Sequence, residues 1–90
     1  VNIRTATDIG LVLRERRRAL GLDQATLAKR IGASRQWVVE IERGKPRAEI
    51  GLVLAAFRAL GLSLIAELPP RDPAYDQLFG DSESARSSQP

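Results

Sequence analysis

The sequence predicts a mainly α fold, a bundle of four short helices followed by one C-terminal β-strand that pairs across a homodimer. Three observations predict it. Gly21, Gly32, Gly44 and Gly61 each close a segment whose apolar residues recur at helical spacing. Two of those segments, between Asp23 and Gly44, are separated only by Gly32-Ala33-Ser34, a tight helix–turn–helix connection. Residues 62–68, LSLIAEL, then switch to alternation with a period of two and stop at Pro69-Pro70.

Residues 1–4 read as a flexible arm. Thr5 and Asp8 have the spacing of a capping box, with Asp in place of Glu, so the first helix begins near Ala6 and runs to Leu20. Its inward face is Ile9, Val12, Leu13, Ala19 and Leu20. Arg14, Arg16, Arg17 and Arg18 form a basic cluster broken only by Glu15. Such a run is ordinarily a solvated face, but this one stands one helix ahead of the helix–turn–helix pair, where it can meet phosphates.

The second helix is Gln24 to Ile31, with Asp23 capping its free N–H groups and Ala25, Leu27, Ala28 and Ile31 as its contacts. Gly32 ends it by taking a positive φ, and Ser34 caps the third helix, Arg35 to Arg43. Val38 and Ile41 face inward with Trp37 beside them. Arg35, Gln36, Val39, Glu40 and Arg43 are left pointing outward, with Gln36, Glu40 and Arg43 on one stripe and Arg35 and Val39 on the next. Arg and Gln make bidentate contacts to guanine and adenine edges in the major groove, Val meets a thymine methyl, and Glu accepts from cytosine or orients a neighbouring Arg. An exposed helix face carries Arg and Gln in any protein, so these residues alone leave a plain αα-hairpin equally open.

The fourth helix spans Glu49 to Leu60, with Ile50, Val53, Leu54, Phe57 and Leu60 facing the core. Trp37 and Phe57 read as packing residues. Gly51 is out of keeping with a helix and costs about 1 kcal/mol relative to Ala; it would allow a close approach by a neighbour, but the sequence offers no firm reason for it. The strand at 62–68 cannot satisfy its own backbone, and the chain offers it no second strand. The same strand of a second copy, related by a two-fold axis, is the natural partner; a fifth short helix is the alternative. Leu62, Leu64, Ile65, Ala66 and Leu68 are the candidate dimer interface. From Pro69 to Pro90 the chain turns rich in Pro, Ser and Asp, a composition typical of disorder, with Ala74, Tyr75, Leu78 and Phe79 as an apolar island.

Ninety residues, 43% of them hydrophobic, support one small core. The chain has no Cys and no His, which removes disulfides, zinc sites and the usual nucleophile–base pairs. No enzyme, cofactor or metal is expected. No apolar run approaches the ~20 residues of a membrane span, and no signal-peptide core opens the sequence, so a cytoplasmic, nucleoid-associated protein is expected. The net charge is +3 but unevenly spread: residues 1–48 carry eleven Lys and Arg against five Asp and Glu, and residues 49–90 three against six. A basic half holding a helix pair suits a polyanion.

The run LRERRRALGLDQATLAKRIGASRQWVVEIERGK, followed by RALGLSL, resembles the Xre/Cro-type helix-turn-helix family of small bacterial and phage repressors. Within that family it most resembles HipB-like antitoxins. The elements that carry the resemblance are R-x-x-x-G-L-D-Q-x-x-L-A, I-G-A-S and I-E-R-G-K, in that order, over residues 5–68. The resemblance implies a lambda-repressor-like bundle, a homodimer on an approximately palindromic operator in double-stranded DNA, and transcriptional repression of its own operon. It also implies an intersubunit two-stranded sheet and binding of a HipA-like Ser/Thr kinase toxin, which the C-terminal tail can engage. Residue by residue, Arg17 would pair with Glu42 and meet a phosphate, and Gln24 would contact a phosphate at the groove edge. Ser34, Arg43, Lys45 and Arg47 complete the phosphate-binding set, while Arg35, Gln36, Val39 and Glu40 read bases. A phage-type or restriction–modification control regulator without a toxin partner, and a protein-interaction module on the same fold, are the alternatives.

Overall fold

In the computed structural model, four helices are present among the described residues, which are 1–70, 73, 74, 77 and 78: α1 (Ala6–Ala19), α2 (Gln24–Ile31), α3 (Arg35–Glu42) and α4 (Ile50–Ala59). Each starts and stops where local chemistry dictates. Thr5 and Asp8 form the reciprocal capping box at the head of α1. The Thr5 hydroxyl accepts from the Asp8 N–H at 3.2 Å, and the Asp8 carboxylate accepts from the N–H groups of Arg4 and Thr5 at 2.9 and 3.0 Å. The Arg4 and Thr5 bonds hold the Asp8 carboxyl below its ordinary value. Asp23 and Ser34 cap α2 and α3 by accepting from the N–H groups of Thr26 (2.7 Å) and Trp37 (3.0 Å). Glu49 precedes α4 without a side-chain capping bond.

All four helices end in the same way. A glycine at left-handed φ turns the chain, and the N–H of the next residue returns to the carbonyl five positions back: Leu22 to Arg17 at 3.1 Å, Ala33 to Ala28 at 2.9 Å, Lys45 to Glu40 at 3.1 Å and Leu62 to Phe57 at 2.8 Å. This is the Schellman arrangement, which satisfies carbonyls that a helix end leaves open. At Gly32 (φ 71°) it makes the turn between α2 and α3 short enough to hold them as a pair.

Leu13, Leu27, Ala28, Val38, Ile41, Val53, Ala56, Phe57 and Leu60 form the core, flanked by Ile9, Val12, Leu22, Ile31, Trp37, Ala59 and Leu62. Phe57 is buried and Trp37 lies half-buried against the same cluster, so both are packing residues. Several expected inward positions face solvent instead. Ala19, Leu20 and Ala25 are exposed, as are Ile50 and Leu54. Leu20 falls on the turn that closes α1, where the chain has already left the helix path, and Leu22 enters the core in its place. In α4 the buried stripe is Val53, Ala56, Phe57 and Leu60, which leaves Ile50 beyond its end and Leu54 on its flank.

α3 packs against both α1 and α2, and α4 packs against α2. The α1–α3 contact is a close backbone approach. A Cβ on Gly10 would lie 2.5 Å from the Ile41 carbonyl oxygen and 2.7 Å from that of Glu42, and one on Gly44 would lie 2.7 Å from the Thr7 hydroxyl. Gly10 and Thr7, one turn apart on α1, thus seat the end of α3 backbone to backbone. Gly51 has no such neighbour, since nothing lies within 4 Å of its added Cβ, and the close approach expected there is absent. Gly10→Ala is therefore expected to lower stability by about 1–3 kcal/mol through overpacking. Gly51→Ala is expected to raise it by about 0.5–1 kcal/mol. Urea unfolding of both variants checks the pair, and a Gly10→Ala protein as stable as Gly51→Ala would refute the close packing.

Residues 62–68 are neither helical nor paired as a strand among the described residues. The strand expectation is not met here, because a β ladder needs a partner and the described residues provide none. Leu62 packs on the core, whereas Leu64, Ile65 and Leu68 are exposed. Arg16, one of the basic cluster, donates from Nε to the Leu60 carbonyl at 2.9 Å and so braces the end of α4. Of the tail at 69–90, Ala74 and Leu78 are exposed, and Tyr75 and Phe79 lie outside the described residues. No helix among the described residues is long and apolar enough to cross a membrane.

Candidate nucleic-acid interface

A groove of about 850 Å³ lies between the basic face of α1, the start of α2 and the outer face of α3. Arg14, Arg17 and Arg18 reach it from α1, Asp23 and Gln24 from the head of α2, and Arg35, Gln36, Val39, Glu42 and Arg43 from α3 and its end. Five arginines against Asp23 and Glu42 make its wall cationic. The apolar content of the wall is small, being Ala25 and Val39, so the groove suits a hydrated polyanion rather than an apolar ligand.

At its floor Arg17 and Glu42 form a bidentate ion pair, Nε to Oε2 at 2.6 Å and Nη2 to Oε1 at 3.0 Å. Each residue is only 8% exposed, so the pair is desolvated and depends on complete hydrogen bonding. That completeness is present. Arg17 Nη1 donates to the Leu22 carbonyl at 2.8 Å, Gln24 Nε2 donates to Glu42 Oε1 at 3.1 Å, and no buried side-chain nitrogen or oxygen among the described residues lacks a partner. The hydrogen bond to Glu42 holds the Arg17 guanidinium above its already high value, so its charge is fixed at every accessible pH. The expected link between α1 and α3 is there in atomic detail, with Gln24 as a third member.

At the mouth, Arg35 and Gln36 are exposed and Val39 half-buried, on consecutive turns of α3. The Asp23 carboxyl is held below its ordinary value first by the Thr26 hydrogen bonds and then by the charges of Arg17 and Arg35. Glu40 stands apart from the groove lining. Its Oε1 accepts from Gln36 Nε2 at 3.2 Å and its Oε2 from Lys45 Nζ at 2.8 Å. Both contacts, Lys45 first, lower its carboxyl below the ordinary value.

Of the expected site residues, the groove gathers Arg17, Gln24, Arg35, Gln36, Val39 and Arg43. Ser34 caps α3, Lys45 is paired with Glu40, and Arg47 is exposed in the loop after α3, all outside the lining. Gln24 spends one amide hydrogen on Glu42 instead of presenting both outward. Arg14 and Arg18 join the site. Arg14 stands three residues before Arg17 and four before Arg18, the helical spacing that sets the three on one side of α1, while Arg16 turns to the end of α4.

The helix-turn-helix domain family matches residues 8–68. The chain is 40% identical over 62 residues to an uncharacterized HTH-type transcriptional regulator of Sinorhizobium fredii, an overlap of 69% of this chain and 82% of that protein. It is 38% identical over 74 residues to an uncharacterized transcriptional regulator in the ATPase CF(0) region of Rhodospirillum rubrum, covering 79% and 68% of the two chains. A third relative, an uncharacterized HTH-type transcriptional regulator of Methanothermobacter thermautotrophicus, is 37% identical over 57 residues, 63% of this chain and 83% of its own.

Proposed function

Because the chain belongs to the helix-turn-helix domain family, we propose that it is a sequence-specific DNA-binding repressor that occupies an approximately palindromic operator as a homodimer. The observation that carries this reading is the cationic groove, in which three α1 arginines flank the exposed Arg35 and Gln36 and the half-buried Val39 of α3. Arg35, Gln36 and Val39 read base edges in the major groove. Arg14, Arg17, Arg18 and Arg43 hold phosphates, with Arg47 and the α2 N-terminus at the rim. The relatives' description as transcriptional regulators supports the same reading.

The homodimer forms through residues 62–68. Leu64, Ile65 and Leu68 are exposed there, and the backbone forms no ladder among the described residues. A second copy of the strand meets both needs at once. The motif resemblance supports a HipB-like antitoxin that represses its own operon and binds a HipA-like Ser/Thr kinase. Formation of a stable complex between the purified chain and a kinase encoded beside its gene tests that part.

The experiment that tests DNA binding is a footprint on DNA from upstream of the gene, followed by a salt titration. Affinity should fall with a log–log slope of about −0.9 for each phosphate neutralised, roughly −4 per protomer for the four groove arginines assigned to phosphates. A flat salt response, with no protected half-sites in low salt, would instead make the groove a protein-docking face.

A further inference from the structure

Gln36 is the base reader whose chemistry is ambiguous on its own. Its amide carries a donor on one side and an acceptor on the other, and a half-turn about the last torsion exchanges them. Adenine needs them in one order, with the amide oxygen accepting from N6 and the amide nitrogen donating to N7. Glu40, one turn along α3, removes the ambiguity. An ionised carboxylate can only accept, so it tolerates the NH2 side of Gln36 and repels the oxygen. The contact is Nε2 to Oε1 at 3.2 Å, which leaves Gln36 one N–H and its oxygen for a base.

A carboxylate in a face that meets phosphates would be repelled unless neutralised, and Lys45 does this. Its Nζ lies 2.8 Å from Glu40 Oε2 and engages the oxygen that Gln36 does not use. The turn that ends α3 places it there, because Gly44 reverses the chain and the Lys45 N–H bonds the Glu40 carbonyl at 3.1 Å. At the equivalent position after α1 and α4 stand Leu22 and Leu62, both packed on the core. After α3 the same geometry carries a cation onto a carboxylate.

We propose that Glu40 and Lys45 are positioning residues that set the amide orientation of Gln36 and so fix the base it selects. This rests on the DNA-binding reading above. It assigns Lys45 to specificity rather than to a phosphate, and Glu40 to orientation rather than to direct contact with a base.

The test is selection of bound sequences from a randomised duplex pool, read by sequencing, for the unaltered protein and for Gln36→Ala, Glu40→Ala, Glu40→Gln and Lys45→Ala. Gln36→Ala identifies the base pair that Gln36 reads. Glu40→Ala and Lys45→Ala are expected to relax preference at that same base pair, losing most of a discrimination on the order of 5- to 150-fold, with other positions unchanged. Glu40→Gln keeps an acceptor for Gln36 and is expected to retain part of it. If Lys45→Ala weakens all sequences equally and lowers the salt slope by about 1, Lys45 is a phosphate contact and the proposal fails. Unchanged preference at that base pair in Glu40→Ala also overturns it. A pool with no enriched sequence for the unaltered protein overturns the DNA-reading premise itself, an outcome distinct from both.

Discussion

Glu42→Ala is expected to remove about 3–5 kcal/mol of folding stability, a large share of what a domain of this size possesses. The loss is not that of a surface ion pair. Arg17 and Glu42 are nearly buried, and truncating Glu42 strands the Arg17 guanidinium without its carboxylate and leaves Gln24 without its acceptor. Glu42→Gln keeps the shape and one acceptor oxygen, so it should be less damaging, yet still lower both the melting temperature and DNA affinity. Replacing the pair together, Arg17→Met with Glu42→Leu, separates its two roles. An apolar pair of similar volume is expected to recover much of the stability; since it removes one cation and one anion and leaves the groove's net charge unchanged, an affinity that stays low reports the loss of the Arg17 phosphate contact itself. Thermal and urea unfolding, with binding measured on the folded variants, reads both. A Glu42→Gln protein with unaltered melting temperature and affinity would refute the role given to this pair.

Arg35→Ala combined with Gln36→Ala is expected to abolish operator recognition while leaving the fold intact. Both side chains are exposed, so their removal opens no cavity. Two bidentate base contacts at about 1–3 kcal/mol each predict a loss on the order of 2–6 kcal/mol in operator affinity, enough to erase a footprint. Binding to unrelated DNA should persist, since Arg14, Arg17, Arg18 and Arg43 still line the groove. In the Arg35→Ala single variant, preference should relax at one base pair. Uniform weakening on all sequences would place Arg35 on a phosphate instead.

How much of this was legible in the sequence follows the range of the interactions. Helix boundaries were, within one residue, because caps and glycine turns are local: Thr5 with Asp8, Asp23, Ser34 and the four glycines each act over a few positions. Most core positions in the middle of helices were legible too, from apolar spacing, with α4 the exception, where Leu54 faces solvent and Ala56 is buried in the core. Those at helix ends were not. Ile50 and Leu20 fit the spacing, but where a helix stops relative to its neighbours is a tertiary fact. Gly10 shows the same limit, since its need for a bare backbone comes from Ile41 and Glu42, more than thirty residues away. In the groove, residue types and helical spacing were enough to place Arg35, Gln36 and Val39 on one outward face. Which cation faces a carboxylate depends on turn geometry, and so the pairing of Lys45 with Glu40, both already candidates by residue type, emerged only from the structure.

The seat that Gly10 and Thr7 provide for the end of α3 has a consequence for the DNA. With the two backbones in contact, the α1 arginines proposed to hold phosphates and the α3 residues proposed to read bases are held at a set spacing, and sliding one helix against the other would break that contact. A mismatch between that spacing and the groove would then fall on bending or twisting the duplex. The energy of that distortion depends on base steps the protein never touches, stiff A-tracts and pliant pyrimidine–purine steps giving different answers. A glycine chosen for packing thereby makes the mechanics of the operator part of its sequence.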